Sequence, residues 1–242
     1  MNAKRITLYS LAATFILTAL AGFNRPTAPP PDDLDDPVHV SGSLLQIQNE
    51  SQDEPIGISV GEFQIDRYEV TNEQYKEFLD DTGHAAPLGW HKSDYPMGMN
   101  SIPVTAVTWA DADAYCRWAG KRLPTAEEWQ LAAGGSHQKV FPWGDEFAYE
   151  NCYCNMTQAI WPAPVGSFKD DRSPKGAMDM AGNVSEWTST RAEFRDLGWY
   201  NDKFMVVMGG SFRKSPDLAQ TFVRQYLMPM TRKEDLGFRC AL

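Results

Sequence analysis

The chain has 242 residues, with 22 Lys and Arg against 32 Asp and Glu, which gives a formal net charge of −10. Its hydrophobic content of 43% supports a packed core and excludes a chain that is disordered throughout. An acidic chain lacks the positive surface that nucleic acid or anionic lipid requires, so we expect neither as a partner.

The N-terminus has the pattern of an export signal. Lys4 and Arg5 precede an uncharged apolar run, and Ala19-Leu20-Ala21 supplies the small residues that a signal peptidase recognises. The sequence therefore predicts a signal peptide at 1–21 and a periplasmic or secreted protein. The apolar run is only just long enough to span a membrane. An uncleaved N-terminal anchor is thus the alternative, and the membrane is a partner only in that case.

The next segment, 22–37, is rich in Pro and Asp. This composition is typical of a semi-rigid, solvated linker. The sequence therefore predicts one folded domain at 38–242, preceded by a linker.

Three threonines mark predicted helix N-termini. Thr71 with Gln74 and Thr125 with Glu128 form capping boxes, and Thr108 caps a helix between them. We expect their apolar residues to face the core, and these are Tyr75, Phe78, Leu79, Ala112, Tyr115, Cys116, Trp118, Ala119, Trp129 and Leu131.

Regular structure is sparse elsewhere. Alternating stretches at 63–66 and 205–208 predict short strands, and turn residues recur from 134 to the C-terminus. The expected fold class is α+β with much irregular chain. Such a fold needs cross-links, because loops bury little apolar area for each ordered residue.

The four cysteines offer one cross-link. A bridge between Cys116 and Cys240 would tie the C-terminus to an early helix, and export permits disulfides. Cys152 and Cys154 have one residue between them, which strains an intramolecular disulfide. They are expected to be free thiols, ligands of a soft metal, bonded to another chain, or simply buried and unreactive.

A bound cation would be a second cross-link. Asp179 and Glu186 flank a Gly182-Asn183 turn. A turn that points carbonyls inward between two carboxylates suits calcium, which binds six to eight oxygens.

Several blocks in order resemble the formylglycine-generating, or sulfatase-modifying factor, family. The resemblance extends from about residue 61 to the C-terminus. The blocks include Tyr68-Glu69-Val70-Thr71-Asn72, Gly120-Lys121-Arg122-Leu123-Pro124-Thr125, Phe141-Pro142-Trp143-Gly144, Met180-Ala181-Gly182-Asn183-Val184, Gly209-Gly210-Ser211-Phe212 and Gly237-Phe238-Arg239-Cys240.

This resemblance implies an irregular α+β fold related to C-type lectins and a Cys116–Cys240 disulfide. It also implies a structural calcium ion held by the Asp179 and Glu186 side chains and the Gly182 and Val184 carbonyls. A second calcium site maps to Asn151, Cys152 and Phe168, but the acidic ligand that is usual there falls at Gly166.

The chain departs from the family at the catalytic position. In formylglycine-generating enzymes, two cysteines soon after the Gly-Gly-Ser motif bind copper(I). The corresponding segment of this chain, 209–220, contains no Cys. Thiolate–copper catalysis at that position is therefore excluded by composition, and the identity of any redox metal is unknown.

The first functional hypothesis is an exported oxidative or maturation factor that works without the cysteine pair. The family's periplasmic members that complete the pyoverdine chromophore are of this type. Such an enzyme would be an oxidoreductase or tautomerase-like. Lys214 or Asp217 would be its general base, and Arg213 or Arg224 would hold a carboxylate or phenolate. The candidate groove residues are Ser211, Arg213, Lys214, Asp217 and Arg224.

The alternative is a non-catalytic, calcium-stabilised binding module of the cell envelope. Its ligand would be a protein, a peptide or a small molecule, held by rigid loops. The aromatic candidates for that surface are Trp161, Trp187, Trp199 and Tyr200. Genuine formylglycine generation on sulfatases is the third hypothesis.

Overall fold

The computed structural model describes residues 29–47, 55–156, 158–192 and 203–242. The predicted signal peptide lies outside these ranges, as do Trp199 and Tyr200. Among the described residues, no helix has the length and apolar character needed to cross a membrane.

Three helices follow the predicted threonine caps. They are α1 (Asn72–Thr82), α2 (Trp109–Trp118) and α3 (Ala126–Gly134). In each, the threonine hydroxyl accepts from the backbone N–H three residues later, and the side chain of that later residue accepts from the threonine N–H. The predicted capping boxes of α1 and α3 are confirmed. Helix α2 has one as well, formed with Asp111.

Two antiparallel hairpin-like pairs precede the helices. Strand β1 (Val38–Val40) pairs with β4 (Phe63–Ile65), and β2 (Ser43–Ile47) pairs with β3 (Ile56–Val60). The predicted strand at 63–66 is confirmed as β4.

The largest sheet of the described chain has four strands in the order β7-β6-β5-β8. These are β5 (Ser185–Arg191), β6 (Met205–Met208), β7 (Gln225–Leu227) and β8 (Leu236–Gly237). Strand β5 is antiparallel to β6 and parallel to β8, and β6 is antiparallel to β7. Strand β6 confirms the strand predicted at 205–208. Strand β5 was not predicted, because its sequence has the pattern of a loop.

Alternate residues of β6 enter two hydrophobic clusters, because successive strand side chains point to opposite faces. Val206 and Met208 pack with α3 and the β1–β4 strands. Met205 and Val207 pack with α1 and α2. The sheet therefore lies between two layers, which is the expected mixed and irregular α+β architecture.

Two tryptophans differ from the sequence-based expectation. Trp118 is 37% exposed, because it is the last residue of α2 and its indole N–H donates to Asp81 Oδ2 at 2.7 Å. Trp187 is fully buried in the cluster formed with α1 and α2, so it packs in the core and is not a surface aromatic.

All four cysteines are paired. The Cys116–Cys240 disulfide, across 124 residues, confirms the predicted bridge between α2 and the C-terminal segment. Cys152 and Cys154 are bonded to each other. The expectation of free thiols or metal ligands at these two positions is therefore wrong, and their sulfurs are buried against Ala181 and Ala219.

The described part of the predicted linker lies on the domain surface. The Tyr68 hydroxyl donates to Asp33 Oδ1 at 2.9 Å, and Arg67 Nε lies 3.1 Å from Asp33 Oδ2. Leu34 packs against Tyr68 and Val165. This segment therefore covers part of the domain instead of extending into solvent.

Removing the long-range disulfide should destabilise the protein far more than removing the short-range one. Closing a loop of more than a hundred residues contributes about 4–5 kcal/mol in the chain-entropy model. We expect Cys116→Ala with Cys240→Ala to lower the free energy of unfolding by that order, measured by urea titration. The matched control is Cys152→Ala with Cys154→Ala. It also removes two buried sulfurs, but the disulfide that it removes closes only a minimal loop. Equal losses in the two double variants would contradict the loop-closure account.

Candidate functional site

The predicted Gly-Gly-Ser motif forms a tight reversal after β6. Gly209 and Gly210 both have left-handed backbone angles, with φ of 89° and 71°. A Cβ added at Gly210 would lie 2.9 Å from the backbone of Ala219, so a side chain does not fit there. The reversal places Ser211 and the following loop at the end of the sheet.

Three strand ends meet at this point around Lys214. Its Nζ donates to Ser185 Oγ at 2.8 Å and to Gln225 Oε1 at 2.6 Å. Ser185 begins β5 and Gln225 begins β7. The antiparallel register brings both residues beside the end of β6, so the sheet itself positions the partners of the amine.

A buried serine–aspartate pair adjoins the lysine. Ser211 Oγ donates to Asp235 Oδ2 at 2.7 Å, and both side chains are buried. The Asp235 carboxylate lies near enough to Lys214 to act on its charge. Ser185 Oγ in turn donates to the Gly210 carbonyl at 2.5 Å. We call Ser185, Ser211, Lys214, Gln225 and Asp235 the sheet-edge site.

Burial lowers the pKa of Lys214 to about 8, and repulsion from Lys233 acts in the same direction, while Asp235 opposes it. An amine with such a pKa is partly uncharged near neutral pH and is both a base and a nucleophile. The Nε2 of Gln225 is buried without a hydrogen-bond partner. The sheet-edge site thus holds a reactive amine beside an unused hydrogen-bond donor.

Of the predicted groove residues, Ser211 and Lys214 lie together in the sheet-edge site. The other three bond to residues outside it. Arg213 is exposed and bonds to the Ile160 carbonyl and to Glu234. Asp217 is exposed and accepts from the Ser215 hydroxyl. Arg224 forms an ion pair with Glu127 at 2.8 Å.

Three members of the sheet-edge site are not predicted from the sequence. Ser185 directly follows the block that ends at Val184, Asp235 lies two residues before the block that begins at Gly237, and Gln225 carries no local signal. The position of Ser185 and Asp235 beside family blocks is the one signal that points to them.

A second polar centre is fully buried beneath the sheet. Arg239 Nη2 lies 2.7 Å from Glu186 Oε1, and both side chains have no solvent exposure. Arg239 Nε and the indole N–H of Trp129 each donate to Glu186 Oε2 at 2.8 Å. Arg239 also donates to the backbone carbonyls of Arg67 and Met178.

Three further buried carboxylates surround this ion pair, and burial is the main cause that raises the pKa of each. The pKa of Asp179 is raised to about 6, and the pKa values of Glu69 and Asp171 are raised well above the usual range. Glu69 Oε2 and Asp171 Oδ1 have no hydrogen-bond partner. Four carboxylates therefore share one arginine, and the centre is short of positive charge. We call these three residues, together with Glu186 and Arg239, the buried acidic centre.

The fit of this centre to the predicted calcium ion is partial. The charge shortage and the unpartnered oxygen of Glu69 suit a divalent cation. However, Glu186 is already engaged by Arg239 and Trp129, and Asp179 Oδ2 accepts from the Gly166 N–H. Over the described ranges, no group of three or more His, Cys, Asp and Glu side chains is arranged to hold a metal ion.

The second predicted calcium position lacks room for a carboxylate. A Cβ added at Gly166 would lie 2.8 Å from the ring of Tyr68, and the backbone there is left-handed. The Phe168 carbonyl already accepts from the Asp171 N–H. Asn151 lies in a short 3₁₀ helix, Tyr149–Asn151, and Cys152 follows it.

Comparison with known proteins supplies relatives over almost the whole chain. The family model of the sulfatase-modifying factor enzyme 1-like domain matches residues 24–242. The inactive C-alpha-formylglycine-generating enzyme 2 of Bos taurus is 29% identical over 269 residues, covering 84% of this chain and 87% of that protein. The hercynine oxygenase of Mycobacterium tuberculosis is 30% identical over 231 residues, covering 76% of this chain and 53% of that protein. The structure of PvdO from Pseudomonas aeruginosa is similar in fold, with a TM-score of 0.65, 22% identity, and coverage of 90% of this chain and 99% of that one.

The buried acidic centre should make stability depend on pH. The pKa of Asp179 is raised in the fold, so its protonated form contributes stability below about pH 4, and this contribution is lost as the pH rises through 6. At pH 7, without calcium, Asp179→Asn should raise the free energy of unfolding by about 2–3 kcal/mol relative to wild type. Urea unfolding after treatment with a chelator would measure this.

At pH 5 the difference between Asp179→Asn and wild type should shrink, and Asp217→Asn, which changes an exposed carboxylate, should behave like wild type at both pH values. If calcium binds, adding it at pH 7 should stabilise wild type and leave Asp179→Asn unchanged. A wild type whose stability does not fall between pH 5 and 7 would contradict the raised pKa.

Proposed function

Because the chain belongs to the sulfatase-modifying factor family, we propose that it is an exported maturation factor that acts through the sheet-edge site without a copper-binding cysteine pair. The reaction is an oxidative or tautomerising step on a small molecule or peptide. The observation that carries the proposal is the Lys214 amine, held between Ser185 and Gln225 with its pKa lowered to about 8.

The chemistry follows from the groups at the sheet edge. The unprotonated Lys214 amine takes a proton from a phenol or from an acidic C–H of the substrate. Ser185 holds the amine in place, and the Ser211–Asp235 pair keeps a negative charge nearby that stabilises the protonated amine. The same ammonium returns the proton at another atom, which completes a tautomerisation. In an oxidation, the substrate gives two electrons and two protons to dioxygen from solution, which leaves as hydrogen peroxide, and Lys214 accepts the first of these protons.

The relatives support a family in which the fold serves more than one activity. One is named an oxygenase and another is named an inactive formylglycine-generating enzyme. Residues 209–220 contain no Cys, so the sheet-edge site is the chemical alternative that this chain offers. We also propose a structural calcium ion at the buried acidic centre, near the predicted ligand Asp179, where the unpartnered Glu69 Oε2 offers a further oxygen.

A binding module remains the second candidate, and one observation favours it. Beside β7 lie four exposed apolar side chains, which are Phe222 (44%), Tyr226 (37%), Met228 (57%) and Met230 (78%). An apolar strip of this kind is a common feature of surfaces that bind other proteins or peptides. Trp161, 44% exposed, is the described aromatic candidate that stays on the surface.

The proposal predicts that the purified protein converts catechol and phenol probes, followed by their absorbance in aerated buffer. Lys214→Met should reduce the rate about 100-fold or more, since that is the usual contribution of a general base. Lys169→Met changes an exposed lysine outside the site and should keep the wild-type rate.

Repeating the assay under argon separates the two reaction types. A rate that falls without oxygen indicates oxidation, whereas exchange of probe C–H protons with D₂O that continues under argon indicates tautomerisation. Probe binding with no conversion in either atmosphere would overturn the catalytic proposal in favour of the binding module. Conversion of a cysteine-containing sulfatase peptide to formylglycine would overturn the claim that the chain works without the cysteine pair.

A further inference from the structure

The unused donor at Gln225 narrows the class of substrate. Its Oε1 accepts from Lys214 Nζ at 2.6 Å, and its Nε2 is buried without a partner. Both atoms are bonded to the same carbon, so the free N–H lies close to the amine. A buried donor without an acceptor costs free energy, and an oxygen atom of a ligand would remove that cost.

The position of the Lys214 amine indicates that this ligand oxygen belongs to a carbonyl group. Lys214 is partly exposed, whereas Ser185 beneath it is fully buried. A ligand therefore approaches from the solvent side and meets the amine first. A carbonyl group whose oxygen accepts from Gln225 Nε2 presents its electrophilic carbon to the Lys214 nitrogen.

We propose that the sheet-edge site captures aldehydes and ketones as an imine of Lys214, with Gln225 holding the carbonyl oxygen. This deepens the proposed function, on which it rests, by naming a carbonyl compound as the substrate class. The remaining members of the site then have defined roles in the covalent step.

The neutral amine adds to the carbonyl carbon, a C–N bond forms, and the electron pair of the C=O π bond moves to oxygen. Gln225 Nε2 donates to that oxygen as its negative charge develops. The nitrogen loses a proton and the oxygen gains one, with the Ser185 hydroxyl placed to relay it. A second proton, from solvent, lets the oxygen leave as water, and the product is a protonated imine. No oxidant is consumed.

The electrostatics of the site favour this sequence. Burial and Lys233 lower the pKa of Lys214 to about 8, so an appreciable fraction of the amine is uncharged at neutral pH. Asp235, which faces the amine together with Lys233, stabilises the positive charge that returns when the iminium forms.

Reductive trapping tests the proposal directly. The full chain is treated with propanal and sodium cyanoborohydride at pH 7, and alkylated lysines are located by peptide mass mapping. We expect Lys214 to react about tenfold or more faster than the exposed Lys169, because far more of its amine is uncharged. Lys214 reacting no faster than Lys169 would overturn the proposal, and this comparison needs no variant.

Two substitutions refine the result. Gln225→Leu removes the donor and should slow alkylation of Lys214 about tenfold or more while leaving Lys169 unchanged. Lys214→Arg should abolish the modified peptide at this position, and the melting temperature of each variant checks that it is folded. An unchanged rate in a folded Gln225→Leu protein would overturn the assigned role of Gln225.

The two proposals can fail separately. Loss of probe conversion in Lys214→Met without preferential trapping of Lys214 would leave the general base in place and exclude the imine. Preferential trapping with no conversion of any probe would establish the reactive amine and overturn the proposed maturation chemistry.

Discussion

The ion pair between Arg239 and Glu186 is the interaction on which the rest of the structure depends. Both side chains are fully buried, and Arg239 also bonds the backbone at Arg67 and Met178. It therefore joins β5 and the C-terminal segment to two otherwise irregular stretches. Removing either partner of such a pair leaves an uncompensated charge in the core, which usually costs several kcal/mol. The disulfide at Cys240, the next residue, fixes the same segment covalently.

This arrangement has an electrostatic consequence for the whole core. One arginine cannot neutralise four buried carboxylates, so the raised pKa values of Glu69, Asp171 and Asp179 follow from the same design that holds β5 in place. Protons satisfy the centre in acid, and a cation would satisfy it at neutral pH.

The geometry of the sheet-edge site depends on the buried acidic centre. Glu186 and Ser185 are neighbours on β5, one bonded to Arg239 and the other to Lys214. Because the strand is anchored by a fully buried ion pair, Ser185 has little freedom to move, and its hydroxyl is fixed further by the Gly210 carbonyl. The amine of a long, flexible lysine is thereby held by rigid strand ends, which is how functional groups are kept within reach of their substrate.

Short sequence patterns predicted the features that depend on neighbouring residues, such as helix N-termini. They did not predict side-chain bonds between residues that are distant in the chain. The threonine caps act over three residues, so α1 and α3 could be placed from sequence. The bond between Glu186 and Arg239 could not be predicted, because the two residues lie 53 positions apart and no spacing rule connects them. For the same reason Lys214 was a candidate while Ser185, 29 residues before it, was not. The segment 209–220, which contains the Gly-Gly-Ser motif and the residues after it, has no Cys. An amine is a poor ligand for copper(I) but a good base and nucleophile once desolvated, so the side chains present in this segment suit proton transfer better than thiolate–copper chemistry.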